Sequence, residues 1–123
     1  MALVYKPIGR EHFERVLAMD GALAIALGET VSGLCFEALG DSGFDLSLAI
    51  EANNQVIRAQ ESAMKRLQIH DDIQDMLICL QNQYHVIALV PHTSMFVYLV
   101  LDREKGNLAM ARHALSKLVA KLR

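Results

Sequence analysis

Residues 46–67 read LSLAIEANNQVIRAQESAMKRL, a run of 22 residues with neither glycine nor proline. The stretch predicts a helix, and Asp45 before it suits an N-cap, because its carboxylate can accept backbone N–H groups left free at a helix start. At 100° per residue, Leu46, Ile50, Ile57 and Met64 fall on one side. Leu48, Ala49, Ala52, Val56, Ala59, Ala63 and Leu67 fall on the adjacent side. Together they cover roughly 200° of the cylinder, whereas a helix lying on a single core needs an apolar stripe of ~100°. Such a helix asks for two partners: a sheet beneath the bulky half and a closely approaching helix against the alanine-rich half. Asn53 and Gln60, one heptad apart, lie on the seam, where a polar pair in a dry contact fixes register at some cost in stability. The plainer reading is a deeply buried core helix of a monomer, but a chain of 123 residues has few other elements left to cover it.

Upstream of this helix, Leu23, Ile25 and Leu27 alternate with Ala22, Ala24 and Ala26, the period of a strand with one bulky and one small face. The small face lets a helix lie close, so both faces can be covered. Residues 28–33 (GETVSG) predict a hairpin loop and 34–39 (LCFEAL) the returning strand. Before them, Phe13, Val16 and Leu17 recur at helical spacing within residues 10–19, ended by Asp20-Gly21, and residues 1–9 read as an irregular lead-in.

Downstream, residues 73–80, 84–90 and 95–101 predict three strands, separated by Gln81-Asn82-Gln83 and by Pro91-His92-Thr93-Ser94. The run MFVYLVL at 95–101 is apolar throughout, the mark of a central strand buried on both faces. A charged loop (DREKG) and Asn107 as cap lead into a closing helix over 108–122, striped by Leu108, Ala111, Leu115, Leu118 and Leu122. The predicted architecture is α+β, one domain over residues 1–123. Its order is α-β-β-α-β-β-β-α, with tight connections that favour an antiparallel sheet.

Composition narrows the function classes. The chain is 53% hydrophobic, lacks tryptophan, and sets 12 Lys and Arg against 14 Asp and Glu for a formal net charge of −2. No basic bias points to nucleic acid. The N-terminal MALVYKPIGREHF is too soon charged for a signal peptide, and no apolar run approaches the ~20 residues of a membrane span, so a cytoplasmic chain is expected. Cys35 and Cys79 sit in predicted strands among apolar neighbours and read as buried reduced thiols, although spacing alone leaves a disulfide between them open.

The catalytic inventory is thin. No phosphate loop and no dinucleotide fingerprint is present. His70-Asp71-Asp72, with Asp75 and His85, is the nearest approach to a metal set, but adjacent residues on an extended chain point apart. His92 beside Thr93 and Ser94 lacks an orienting partner and an oxyanion site, and reads as a loop tip. His12, His85 and His113 acquire no task. No catalytic residue, no cofactor and no metal is predicted, and the chain does not read as an enzyme.

The element order, the long middle helix and the segment VYLVLDREKGNLAMARHALSKL at 97–118 together resemble the Roadblock family, small regulators found in dynein light chains and, in bacteria, beside Ras-like GTPases. Its most telling local part is a hydrophobic strand and a charged loop, then Asn107-Leu108 opening a helix with Ala111 and Arg112. The GETVSG loop departs from the pattern, lacking the aspartate-containing turn common in that family. The resemblance implies a five-stranded antiparallel sheet with the middle helix on one face and the terminal helices on the other. It also implies a homodimer in which middle helices pack together and the third strands join the two sheets. The interface expected comprises Leu48, Ala49, Ala52, Asn53, Val56, Ala59, Gln60 and Ala63 on both grounds, and Leu77 and Cys79 on the edge strand that the resemblance implies. The function implied is a non-catalytic regulator or binding partner of a small Ras-like GTPase. Arg103 and Arg112 are the exposed candidates for an arginine supplied to it. The alternatives are a structural adaptor of a larger complex and a small-ligand sensor.

Overall fold

The computed structural model describes residues 9–122. Their elements are α1 (Glu11–Leu17), β1 (Ala22–Glu29), β2 (Cys35–Gly40), α2 (Leu46–Arg66), β3 (Asp75–Cys79), β4 (Gln83–Leu89), β5 (Met95–Asp102) and α3 (Leu108–Leu122). The five strands form one sheet in the order β2-β1-β5-β4-β3, antiparallel throughout. The predicted element order and sheet type therefore stand. Of the expected lead-in, residues 1–8 lie outside the described residues, as does Arg123 at the far end.

β5 holds the centre because it alone is apolar enough for both faces. Met95, Val97, Leu99 and Leu101 pack with Phe13 and Val16 of α1 and with Ala111, Leu115, Leu118 and Leu122 of α3. Phe96, Tyr98 and Val100 turn to the other side, toward Ile50 and Ile57 of α2. The terminal helices thus share one face of the sheet and α2 takes the other. Two cores of unequal size result, and β1 serves both with different side chains. Ile25 and Leu27 fill the larger core, while Ala24 and Ala26 floor the smaller one. Gly28 extends that small floor, and a Cβ there would collide with the Ile50 side chain, so the close seat of α2 requires glycine. α2 lies over β1 and β2. Asp45 caps it as predicted, its Oδ1 accepting from Ser47 N at 2.9 Å. Asn107 Oδ1 likewise accepts from Met110 N at 3.0 Å at the start of α3.

Three expectations are corrected. The alternation in β1 is not strict: the register slips between Ala22 and Ala24, and Leu23 turns to the α2 side while Ala22 joins the larger core. A bulge of this kind, two residues facing one, reverses every side chain beyond it. Secondly, the hairpin loop is shorter than residues 28–33, because Gly28 and Glu29 remain paired with Phe96 and Met95 of β5. Thirdly, Cys79 is exposed rather than buried, since β3 is an edge strand, and Cys35 is half-buried; both thiols are free. β2 and β3 are opposite edges, and at ~4.8 Å per strand spacing their cysteines lie far beyond the ~7 Å reach of a disulfide.

Glu29 organises the hairpin turn. It is almost wholly buried, and its carboxylate accepts from Val31 N at 2.9 Å, from Ser32 N at 2.6 Å and from the Ser32 hydroxyl. Burial raises the carboxyl's pKa, but the hydroxyls of Ser32 and Ser94 and the two backbone N–H groups outweigh it and hold the group at about 2, against 4.5 for a free side chain. A depressed pKa means stability fully present above the unfolded value and lost as pH falls through the folded one. The displacement is on the order of 3 kcal/mol at full value, and solvent around the exposed loop tip reduces the expected contribution to about 1–2 kcal/mol. Glu29→Gln is therefore expected to lower unfolding stability by about 1–2 kcal/mol at neutral pH. In urea titrations the deficit should close as pH falls from 4.5 toward 2; a deficit independent of pH would show that the carboxylate charge plays no part.

Candidate interaction surface

Because α2 sits over β1 and β2, its flank toward β4 and β3 meets no other helix among the described residues. Ile50 and Ile57 point into the sheet and are buried. The alanine-rich half turns away from it. Ala52, Val56, Ala59 and Gln60 are exposed, Ala49, Asn53 and Ala63 half-buried, and Leu48 and Leu67 are 61% and 69% exposed. The two-partner requirement read from the helix is thus half met: the sheet is one partner, and the other side is bare apolar surface.

Beside that bare flank runs a shelf of sheet. Residues of β3 and β4 that face the α2 side include Met76, Ile87 and Leu89. His85 is placed two residues before Ile87, and Ile78 opposite His85, so both lie on the same face. Met76, Ile78, His85 and Leu89 are all half-buried. The shelf ends at β3, whose outer side carries no strand among the described residues. An unpaired strand edge next to an apolar helix flank is the arrangement of a surface that a further chain can cover.

Leu77 and Cys79 are exposed at this edge but on the opposite face from α2. Asp75 accepts a two-pronged contact from Arg112 of α3, at 2.7–3.0 Å, and Leu77 and Cys79 alternate in phase with it. The structure therefore brings together the expected α2 residues, and places Leu77 and Cys79 with the edge but around its far side. Met76, Ile78, His85 and Leu89 were missed. Every residue from 76 to 80 is apolar, so nothing in the sequence says which alternate set faces α2. The Asp75–Arg112 pair, separated by 37 residues, decides it.

The candidates for chemistry disperse. Asp75 and His85 occupy opposite faces of the sheet. Thr93 Oγ1 donates to Val90 O at 2.9 Å and accepts from Met95 N at 3.0 Å, and the Ser94 hydroxyl serves Glu29, so the loop hydroxyls are engaged in turns. No group of three or more potential metal ligands occurs among the described residues. The two arginines are engaged as well: Arg112 with Asp75, and Arg103 with Leu80 O at 3.1 Å while stacked 4.9 Å from the Tyr84 ring centre. No described helix is long and apolar enough to cross a membrane.

One sheet with a lone central helix on one face and two terminal helices on the other is the Roadblock/LC7 fold, and the chain has it. The Roadblock/LC7 domain from Streptomyces avermitilis superposes with a TM-score of 0.81, covering 94% of this chain and 94% of its own, at 12% sequence identity. Myxococcus xanthus MglB is similar at a TM-score of 0.76, covering 87% of this chain and 85% of its own, at 12% identity. An MglB with a tetrameric arrangement also gives 0.76, covering 98% and 93%, at 14% identity. No family model matches the sequence. No curated protein matches it either.

Proposed function

We propose that this chain is a non-catalytic, cytoplasmic, homodimeric binding partner of a small Ras-like GTPase. The observation that carries the reading is the bare alanine flank of α2, continuous with the apolar shelf and the free β3 edge, on a Roadblock/LC7 fold. A second copy fits this surface because the flank is self-complementary. Alanines allow close helix approach, and each copy's unpaired edge offers the backbone groups the other lacks. The resemblance to Roadblock regulators supports a GTPase partner, and the likeness to an MglB with a tetrameric arrangement supports association. Such a partner acts by preferring one nucleotide state, since only differential binding shifts an equilibrium. With Arg103 and Arg112 already engaged, the mode that fits is binding rather than an arginine delivered to the GTPase active site.

Two measurements follow. Ala52→Glu and Ala59→Glu each place a carboxylate on the proposed helix contact, where burying an unpaired charge costs several kcal/mol. Light scattering is expected to show both variants monomeric at concentrations where the parent is dimeric, with circular dichroism unchanged; dimers of parental affinity would move the interface elsewhere. For the partner, capture from native lysate is run with excess GDP and with a non-hydrolysable GTP analogue. At least about tenfold enrichment of a small GTPase in one arm, or ~1.4 kcal/mol of preference, is the expected result. Equal recovery of one non-GTPase protein in both arms would replace this reading with the adaptor.

A further inference from the structure

The shelf beside α2 is apolar except for one chain of hydrogen bonds. Asn53 Nδ2 donates to Ala49 O at 2.7 Å, and the Asn53 side chain also bonds the Tyr98 hydroxyl. Tyr98 Oη lies 2.9 Å from His85 Nδ1, and His85 Nε2 lies 2.9 Å from Gln83 Oε1. The directions are fixed by donor chemistry. An amide oxygen only accepts, so His85 Nε2 carries the ring proton and Nδ1 is bare. Tyr98 then donates to Nδ1, leaving its oxygen to accept from the Asn53 amide. Every donor meets an acceptor, but only while the imidazole is neutral. A proton on Nδ1 sets two donors against each other across 2.9 Å, and the displaced hydroxyl hydrogen faces an amide that is itself a donor.

Among the described residues, no charged side chain pairs with His85. His85 has Ile78 opposite it on β3 and Val100 on β5, with the Phe44 ring 6.0 Å away. The α2 flank carrying Asn53 presents Ala49, Val56 and Gln60, none charged, and the turn 80–82 carries no charge. On β5, Asp102 stands opposite Gln83 and accepts from Lys105 N. In the loop before α2, Asp41 accepts from Gly43 N and Asp45 caps the helix. Asp75, Arg112 and Arg103 are held on the far side, and Arg58 reaches Thr30 O. Burial alone moves His85 below the ordinary histidine value of 6.5.

We propose that His85, through its hydrogen-bond chain to Tyr98 and Asn53, makes the association of two copies of this chain acid-sensitive: the neutral ring fits under the second copy and the protonated ring does not. This rests on the homodimer reading above. A second copy over the shelf removes the remaining solvent from His85, so the dimer excludes the ring proton more strongly than the monomer does. Where the monomer is protonated and the dimer is not, each histidine weakens association by up to about tenfold per pH unit. Two copies give up to ~100-fold.

The test is the dimer dissociation constant of the full chain by analytical ultracentrifugation between about pH 5 and pH 8. The wild type is expected to be tightest above neutrality and to weaken steeply as pH falls below the ordinary histidine value of 6.5. His85→Gln should flatten that profile while remaining dimeric, and His12→Gln and His113→Gln, on the α1 and α3 side, should leave it steep. Tyr98→Phe removes the proton donor to Nδ1 and should move the weakening to higher pH. If His85→Gln fails to fold, the His85 ring-proton NMR titration of the wild type, expected to run in step with loss of dimer, decides instead. A dimer of constant affinity across the range, or a slope that survives His85→Gln, overturns the inference and leaves the dimer standing. A monomer at every pH overturns both.

Discussion

The contact on which the rest of the structure depends is the seat of α2 on the small face of β1. Ala24, Ala26 and Gly28 lie in a row beneath Ile50 and Ile57, and the helix can come close only because no side chain larger than a methyl stands between. That seat fixes α2 toward the β1–β2 side of the sheet. Everything distinctive follows from the offset: among the described residues, the β3–β4 side of the same face is left as a shelf, the alanine half of α2 is left without a neighbouring helix, and the β3 edge lies open. The other face shows no such imbalance, since α1 and α3 together cover β1, β2, β4 and β5.

The same offset explains where polar groups are tolerated. Glu29 is buried at the hairpin because its two oxygens are saturated by the loop it organises. The Asn53–Tyr98–His85–Gln83 chain crosses the boundary between α2 and the shelf, and Tyr98, its ring buried in the smaller core, has its hydroxyl pushed up to about 12. The hydroxyl is neutral wherever a histidine titrates, so the direction in which it donates follows the protonation state of His85.

Much of this was legible in residue pattern. The unbroken run 95–101 placed the central strand, the alanine alternation in 22–27 placed the close helix seat, and Asp45 and Asn107 placed two helix starts, all through short-range physics. The resemblance supplied the division of the helices between the two sheet faces, and the strand order β2-β1-β5-β4-β3 emerged only from the structure. What the pattern hid depends on long-range pairing. The bulge that turns Leu23 over is set by pairing with β5, which local alternation cannot report. The face of β3 was undecidable because residues 76–80 are all apolar, and Cys79 read as buried for the same reason. His85 looked idle because its partners Tyr98 and Asn53 lie 13 and 32 residues away in sequence.

The central claim is that the open side of α2 and the β3 edge are covered by a second copy, and backbone amide hydrogen exchange over Asp75–Cys79 tests it most directly. The account predicts that the alternate amides of this strand that point away from β4 exchange fast in dilute protein and become protected as concentration drives dimer formation, while β5 amides stay protected throughout. A dimer in which those outward-pointing β3 amides exchange equally fast at every concentration, or a chain that never dimerises, would contradict it.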